Sequence, residues 1–370
     1  MSLVAPDAYK TKAAKFPNKF VQARNALSQV SLHTEFLGDK ILVIADKIVT
    51  ELIKDKILSS YKDSDVKVDF EIFNGLCCDD EIYRIQDIVE EKGYNLVFAA
   101  GGGRATDTAK IVCDNLNLPI VIIPTIVATD APSTGLAIKY TSKGEVEEWV
   151  FLPKCPDLII VDTEIVAKAP VKFLKAGMGD ALATYFEART TYQKPGINAS
   201  MSGVSEMALC ISERIYSLIK EYGKQAIIAN KNGVVAPALE KIIEVNALMS
   251  GVGGENGGGC LPHALYDALE IIPECKKYQH GEIVSFGVLV HLIAECSPLE
   301  EIKEYINLCK ELDLPVTLSQ IGLENVLDDQ LYQVAEGVQQ SFLMENQKGC
   351  LSKKEVVEYI RIADVFGKTY

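Results

Sequence analysis

Apolar residues along the first 170 positions fall into short runs separated by longer stretches with helical spacing. Residues 40–45, 66–73, 95–100, 119–123 and 157–161 are rich in Val, Ile and Leu and read as strands. Between them, residues 48–59, 79–92 and 104–116 repeat apolar positions every three to four residues and read as helices. Asp79 or Asp80 suits the cap of the second. Strand and helix alternating in this way build a parallel sheet from βαβ units. After residues 168–172 the strand-like runs stop. Long amphipathic stretches follow at 180–193, 202–222, 236–248, 282–295, 299–312 and 353–366. The pattern predicts an α/β N-terminal domain over residues 1–171 and an all-α domain over 172–370, with Pro170 at the break. The run 251–259 carries too many glycines for the interior of an ordinary helix, so bare backbone is expected there.

A length of 370 residues agrees with two cores rather than one. The formal charge of −14 opposes binding to nucleic acid or to an anionic membrane surface. No apolar run approaches the ~18 residues of a membrane span. Residues 1–19 carry four Lys without the apolar segment of a secretory signal, so a cytoplasmic location is expected. The ten Cys show no CxxC pair and read as reduced thiols that behave mostly as small buried hydrophobes.

Three segments carry candidate chemistry. The run 99–110 takes a hydrophobic strand into Gly101, Gly102 and Gly103 and then into a helix. Glycines there allow an anion close to the main chain, and first-turn N–H groups stabilise it. A tight strand-to-helix turn would look the same. Asp46, at a strand end, suits the ribose hydroxyls of NAD and would repel the 2′-phosphate of NADP, or it caps a helix. Residues 125–134 place four hydroxyls and Asp130 at the end of another strand, where open α/β sheets bind ligands. Only four His exist, at 33, 263, 280 and 291, and no HExxH or zinc-binding Cys spacing occurs. His280 and His291 are separated by three helical turns, roughly 16 Å, and cannot share an ion. His291 lies in an apolar run and reads as a core or interface histidine. His263 follows Pro262, a good first helical residue, so it stands at a helix start. A local pair, His263 with Asp267 one turn on, lacks a third nearby ligand.

In sum, Gly101-Gly-Gly-Arg-Ala-Thr-Asp-Thr-Ala-Lys110, Pro124-Thr-Ile-Val-Ala-Thr-Asp-Ala-Pro132, Val161-Asp-Thr-Glu-Ile-Val-Ala-Lys-Ala-Pro170, Ala176-Gly-Met-Gly-Asp-Ala-Leu-Ala-Thr184 and Lys277-Tyr-Gln-His-Gly-Glu282 resemble the glycerol dehydrogenases of the iron-containing (group III) alcohol dehydrogenase superfamily, over nearly the whole chain. The resemblance implies the dehydroquinate synthase-like architecture, with an active-site cleft between an α/β and a helical domain. It implies a divalent metal, zinc ahead of iron, on Asp180, His263 and His280. It implies NAD contacts at Asp46, Gly102, Gly103, Asp107, Thr125, Thr134 and Tyr140, and substrate contacts at Asp130 and His263. Catalysis would rest on Asp130, Asp180, His263 and His280, oxidising a vicinal diol such as glycerol by hydride transfer to nicotinamide. A homo-oligomer, commonly an octamer, is implied as well.

The chain departs from that pattern at Gly254, where an aromatic is usual, at Tyr266, where a second His is usual, and over 341–349, which lacks a His-Asn-Met-Pro-like segment. These fall at the expected pocket wall and set a 2-hydroxy acid or other secondary alcohol beside the diol as an alternative substrate. Two readings lie further off. A dehydroquinate-synthase-like lyase would need a Lys/Arg/His cluster of which only Lys276 and Lys277 are at hand, and a non-catalytic nucleotide-binding scaffold would have lost the metal residues.

Overall fold

The computed structural model describes residues 7–370; residues 1–6, at the start of the expected first domain, lie outside the described residues. Strands β1 (Phe20–Ala23), β2 (Lys40–Ala45), β3 (Lys67–Ile72), β4 (Leu96–Gly101), β5 (Ile120–Pro124) and β8 (Leu158–Asp162) form one sheet, with β6 (Leu136–Tyr140) and β7 (Val146–Phe151) as a separate antiparallel hairpin. The large sheet is parallel throughout, in the order β1-β8-β5-β4-β2-β3. Its inner strands are buried on both faces, which is why they are legible as unbroken apolar runs. Alternation then divides them: Ile41, Val43 and Ala45 pack in one core with Ile53 and Ile57, whereas Leu42 and Ile44 face a second core continuous with the helical half.

From Thr163 onward the described chain is helical. Its centre is the helix Val171–Gln193, buried on nearly every side, packed against the helices Glu206–Lys231, Ser250–Gly257 and His280–Ala294. The sequence pattern starts this helix at residue 180, but it begins at Val171, because low-propensity Gly177 and Gly179 interrupt the local periodicity. No helix among the described residues is long and apolar enough to cross a membrane.

The glycine run differs from expectation: Ser250–Gly257 is a helix, entered through a π-helical turn at Val245–Met249. Tertiary packing overrides propensity there. A Cβ on Gly253 would lie 2.6 Å from Cγ2 of Thr184, and one on Gly257 2.7 Å from Cβ of Ala188, so the glycines let this helix lie close against Val171–Gln193. The bare backbone serves a helix crossing rather than a loop.

Two elements escape the sequence pattern altogether. β1 is only four residues long and half-buried at the sheet edge, and the β6–β7 hairpin, partly exposed on both faces, has no continuous apolar run. Ten cysteines are free, and six of them, Cys77, Cys113, Cys155, Cys260, Cys275 and Cys309, are buried.

Candidate active site

In the strand order, β2 continues to β3 on one side and to β4 on the other, so the direction of winding reverses between β2 and β4. Crevices at such switch points, outside the carboxyl ends of the strands, bind ligands. Asp46 follows β2 and Gly101–Gly103 ends β4, so both border that crevice. The helix Gly103–Leu116 starts at Gly102 without a side-chain cap, leaving first-turn N–H groups for an anion. Asp46 does cap its helix, accepting from Val49 N at 2.9 Å, yet it also faces the crevice.

The crevice opens into a cavity of about 1310 Å³ that reaches the helical half. This exceeds the ~300–1000 Å³ of ordinary small-molecule sites and leaves room for a dinucleotide with a substrate. Asp46, Gly102, Gly103, Asp107, Thr134 and Tyr140 line one part, and Asp130, Glu187, His263 and His280 another. Thr125 is buried outside the lining, its N–H donating to Gly101 O at 3.2 Å. Both carboxylate oxygens of Asp107 are engaged, Oδ1 with Lys110 Nζ at 3.4 Å and Oδ2 with Ile138 N at 3.2 Å. Lys110, itself buried, donates to Leu136 O at 2.7 Å, so this pair holds the hairpin against the glycine-loop helix.

Three distant segments converge at the helical side. Asp180 sits mid-helix, His263 in the first turn of the helix Leu261–Leu269, and His280 opens the helix His280–Ala294. The glycines beside these residues permit the convergence: a Cβ on Gly281 would collide with Ala176 O and lie 2.7 Å from Asp180 N, and one on Gly179 would collide with Gly281 O. With both positions bare, His263 Nε2 and His280 Nε2 reach Asp180 Oδ1 at 3.2 and 3.1 Å. One ligand atom from each lies within 4.8 Å of the others, and this is the group of three among the described residues that could hold a metal ion.

Glu187 completes the arrangement. Its Oε2 accepts the Nδ1 proton of His263 at 2.7 Å and its Oε1 accepts from Cys260 N at 2.8 Å, which directs the other ring nitrogen, Nε2, at Asp180. Glu187 is absent from the sequence-based candidates. Its signal is the seven-residue spacing from Asp180, two turns along one buried helix face.

Asp130 is held over this group by the β5 loop. Its N–H donates to Asp180 Oδ2 at 3.1 Å. The loop is fastened where Asn246, in the π-turn, donates to Val127 O at 3.0 Å, and where Ser133 donates to Leu248 O at 3.0 Å. Burial and then the charge of Asp180 push the Asp130 carboxyl up to about 7. Burial opposes ionisation of Asp180, but His280 and His263 hold its carboxyl well below the usual range. Burial likewise opposes charge on both rings, yet Glu187 and Asp180 raise His263, and Asp180 raises His280. The cluster therefore attracts positive charge, and a carboxylate with two imidazoles matches a divalent transition ion with open positions. His291 lies elsewhere, fully buried with Thr190 and Gln347 as partners.

Fold and cleft together define a dehydrogenase of the iron-containing alcohol dehydrogenase class, and the model of that family, "Iron-containing alcohol dehydrogenase", matches residues 17–163. The chain is 40% identical over 355 residues to a glycerol dehydrogenase of Thermotoga maritima, covering 95% of this chain and 97% of that one. A probable glycerol dehydrogenase of Sinorhizobium meliloti superposes with a TM-score of 0.92 at 34% identity, over 97% of this chain and 100% of the other. The Schizosaccharomyces pombe glycerol dehydrogenase superposes at 0.93 with 28% identity, over 97% of this chain and 91% of the other. The chain belongs to the glycerol dehydrogenase family. It is an oxidoreductase, an alcohol dehydrogenase of the polyol type.

Proposed function

We propose that this chain oxidises a vicinal diol of the glycerol type to the hydroxyketone, using NAD and a divalent ion, zinc before iron, on Asp180, His263 and His280. The observation that carries the reading is the approach of those three ligand atoms to within 4.8 Å of one another. When bound, the ion supplies Lewis acidity toward an alcohol oxygen and NAD supplies the hydride acceptor. Glu187 keeps His263 in the tautomer that points a lone pair at the site. Asp130, fixed above Asp180, would accept a hydrogen bond from the second hydroxyl, and His263 would border the same substrate. Gly102 and Gly103 would receive the pyrophosphate and Asp46 the adenosine ribose, with Asp107, Thr134 and Tyr140 as the remaining dinucleotide positions, while Thr125, expected among them, lies outside the lining.

A neutral diol fits better than a 2-hydroxy acid, because Glu187 and Glu270 line the cavity and negative charge there resists a carboxylate. We also place the domain division at residues 171/172, the protein in the cytoplasm, and the chain in a homo-oligomer.

Elemental analysis of purified protein, joined to steady-state NADH production across glycerol, 1,2-propanediol and several 2-hydroxy acids, tests the reading. About one ion per chain and a higher kcat/KM for a diol than for any hydroxy acid are expected. A hydroxy acid as best substrate overturns it.

A further inference from the structure

Glycine inside a helix is unfavourable relative to alanine, so each one in Ser250–Gly257 calls for a physical reason. Gly251, Gly253 and Gly257 have one: a Cβ there would lie 2.6 Å from Asp130 O, 2.6 Å from Thr184 Cγ2 and 2.7 Å from Ala188 Cβ, respectively. Gly254 has none. Its Cβ would meet only Asp130 Oδ2, at 3.4 Å, which is ordinary van der Waals contact. Its φ lies outside the left-handed region, so an L-residue would be unstrained. Neither packing nor backbone conformation requires a glycine at this position.

What the missing side chain does is leave space. Gly254 faces the cavity beside the Asp130 carboxylate. One helical turn further, Gly258 abuts Ile197 O, and a Cβ on Gly259 would lie 3.3 Å from Leu343 Cδ2 and 3.7 Å from Glu187 Oε1. Ile197, through its carbonyl, and Leu343 therefore wall the region next to the Glu187–His263 pair, and both line the same cavity, as does Met201. Leu343 gives this part of the cavity an aliphatic side chain that suits an alkyl group, beside the polar Asn346.

We propose that Gly254 is a specificity-determining residue that keeps a side chamber open beside Asp130. The enzyme then favours 1,2-diols whose substituent is larger and more apolar than the hydroxymethyl group of glycerol. The proposal rests on the diol reading above and deepens it. The reaction is the same for every such diol: a C–H and an O–H bond break, a C=O bond forms, NAD+ gains the hydride and the proton goes to water.

The test measures kcat/KM for glycerol, 1,2-propanediol and 1,2-hexanediol at saturating NAD, with the melting temperature, in the wild-type holoenzyme, Gly254→Ala and Gly254→Leu. Wild type should use 1,2-hexanediol at least as efficiently as glycerol. In Gly254→Leu the hexanediol-to-propanediol ratio should fall roughly tenfold or more, since pocket volume is what was removed. Gly254→Ala should melt higher than wild type while its ratio also falls, separating the cost to selectivity from the gain in helix stability. A lower melting temperature in Gly254→Ala, or a ratio unchanged in both variants, overturns the proposal while activity on glycerol and propanediol leaves the diol reading standing. If wild type oxidises no diol, the diol reading fails and the proposal falls with it.

Discussion

Glu187 and His263, 76 residues apart in sequence, meet through a 2.7 Å contact between Oε2 and Nδ1 that aims the other ring nitrogen at Asp180. Removing this partner leaves the three ligating groups in place but frees the ring. Glu187→Ala should weaken metal binding about 10- to 100-fold, with Glu187→Gln intermediate because its amide oxygen still accepts from Nδ1. Competition against a chelator of known affinity reads this directly. Unchanged affinity in the alanine variant would show that the ring is oriented by something else.

Gly281 lets His280 and Asp180 share a close helix contact. Gly281→Ala should destabilise the fold by about 1–3 kcal/mol, because the new methyl meets main-chain atoms that have no room to move. It should also reduce metal content, since separating the helices separates the ligands. Urea unfolding and elemental analysis measure the two effects, and a variant as stable and as metallated as wild type refutes the packing argument.

Asp267 lies one helical turn after His263 and lines the cavity, but it is not in the convergent group. Asp267→Ala is expected to keep metal stoichiometry near one per chain, whereas Asp180→Ala loses it. Metal lost from both variants would mean that the ion sits further along the Leu261–Leu269 helix.

Glu81 is a buried carboxylate bonded to Asn74, between the cavity-lining residues Phe73 and Gly75. Burial alone would raise it, but bonds from Arg84 at 2.8 Å and from Asn74 at 2.7 Å outweigh burial and lower its pKa. A depressed carboxylate contributes its stability above the unfolded pKa of about 4.3, and that contribution disappears as pH falls through the lower folded value. Glu81→Gln should cost about 1.5–3 kcal/mol at pH 7, the range for hydrogen bonds to charged groups. The gap from wild type should narrow as the pH falls below that unfolded value in unfolding titrations. A gap independent of pH would show that the ionised form is not what stabilises this corner.

Legibility followed burial and locality. The inner strands β2, β4, β5 and β8 could be read because both faces are covered and apolar residues run unbroken. The β6–β7 hairpin could not, because all but one of its strand positions are at least partly open to water and its contribution to the cavity, Tyr140 among them, depends on Lys110 and Asp107 anchoring it. Asp180, His263 and His280 were reached through family resemblance, since nothing in their spacing marks them as neighbours. Glu187 was missed although its helix position carried a signal. The helix at Ser250–Gly257 was misread because glycine's low propensity is a local property, and the tight crossing that rewards it is not.

From the chain alone come the alternation of strand and helix, the change to helix after residue 170, and the glycine-rich turn after β4. These are short-range properties, written in hydrophobic period and in residues with unusual backbone freedom. Tertiary structure alone decided that groups 83 and 100 residues apart meet at one carboxylate oxygen, and that Gly254 stands bare beside Asp130. Such distances are set by how closely helices cross, which depends on many side chains packing at once and leaves no trace in any single stretch of sequence.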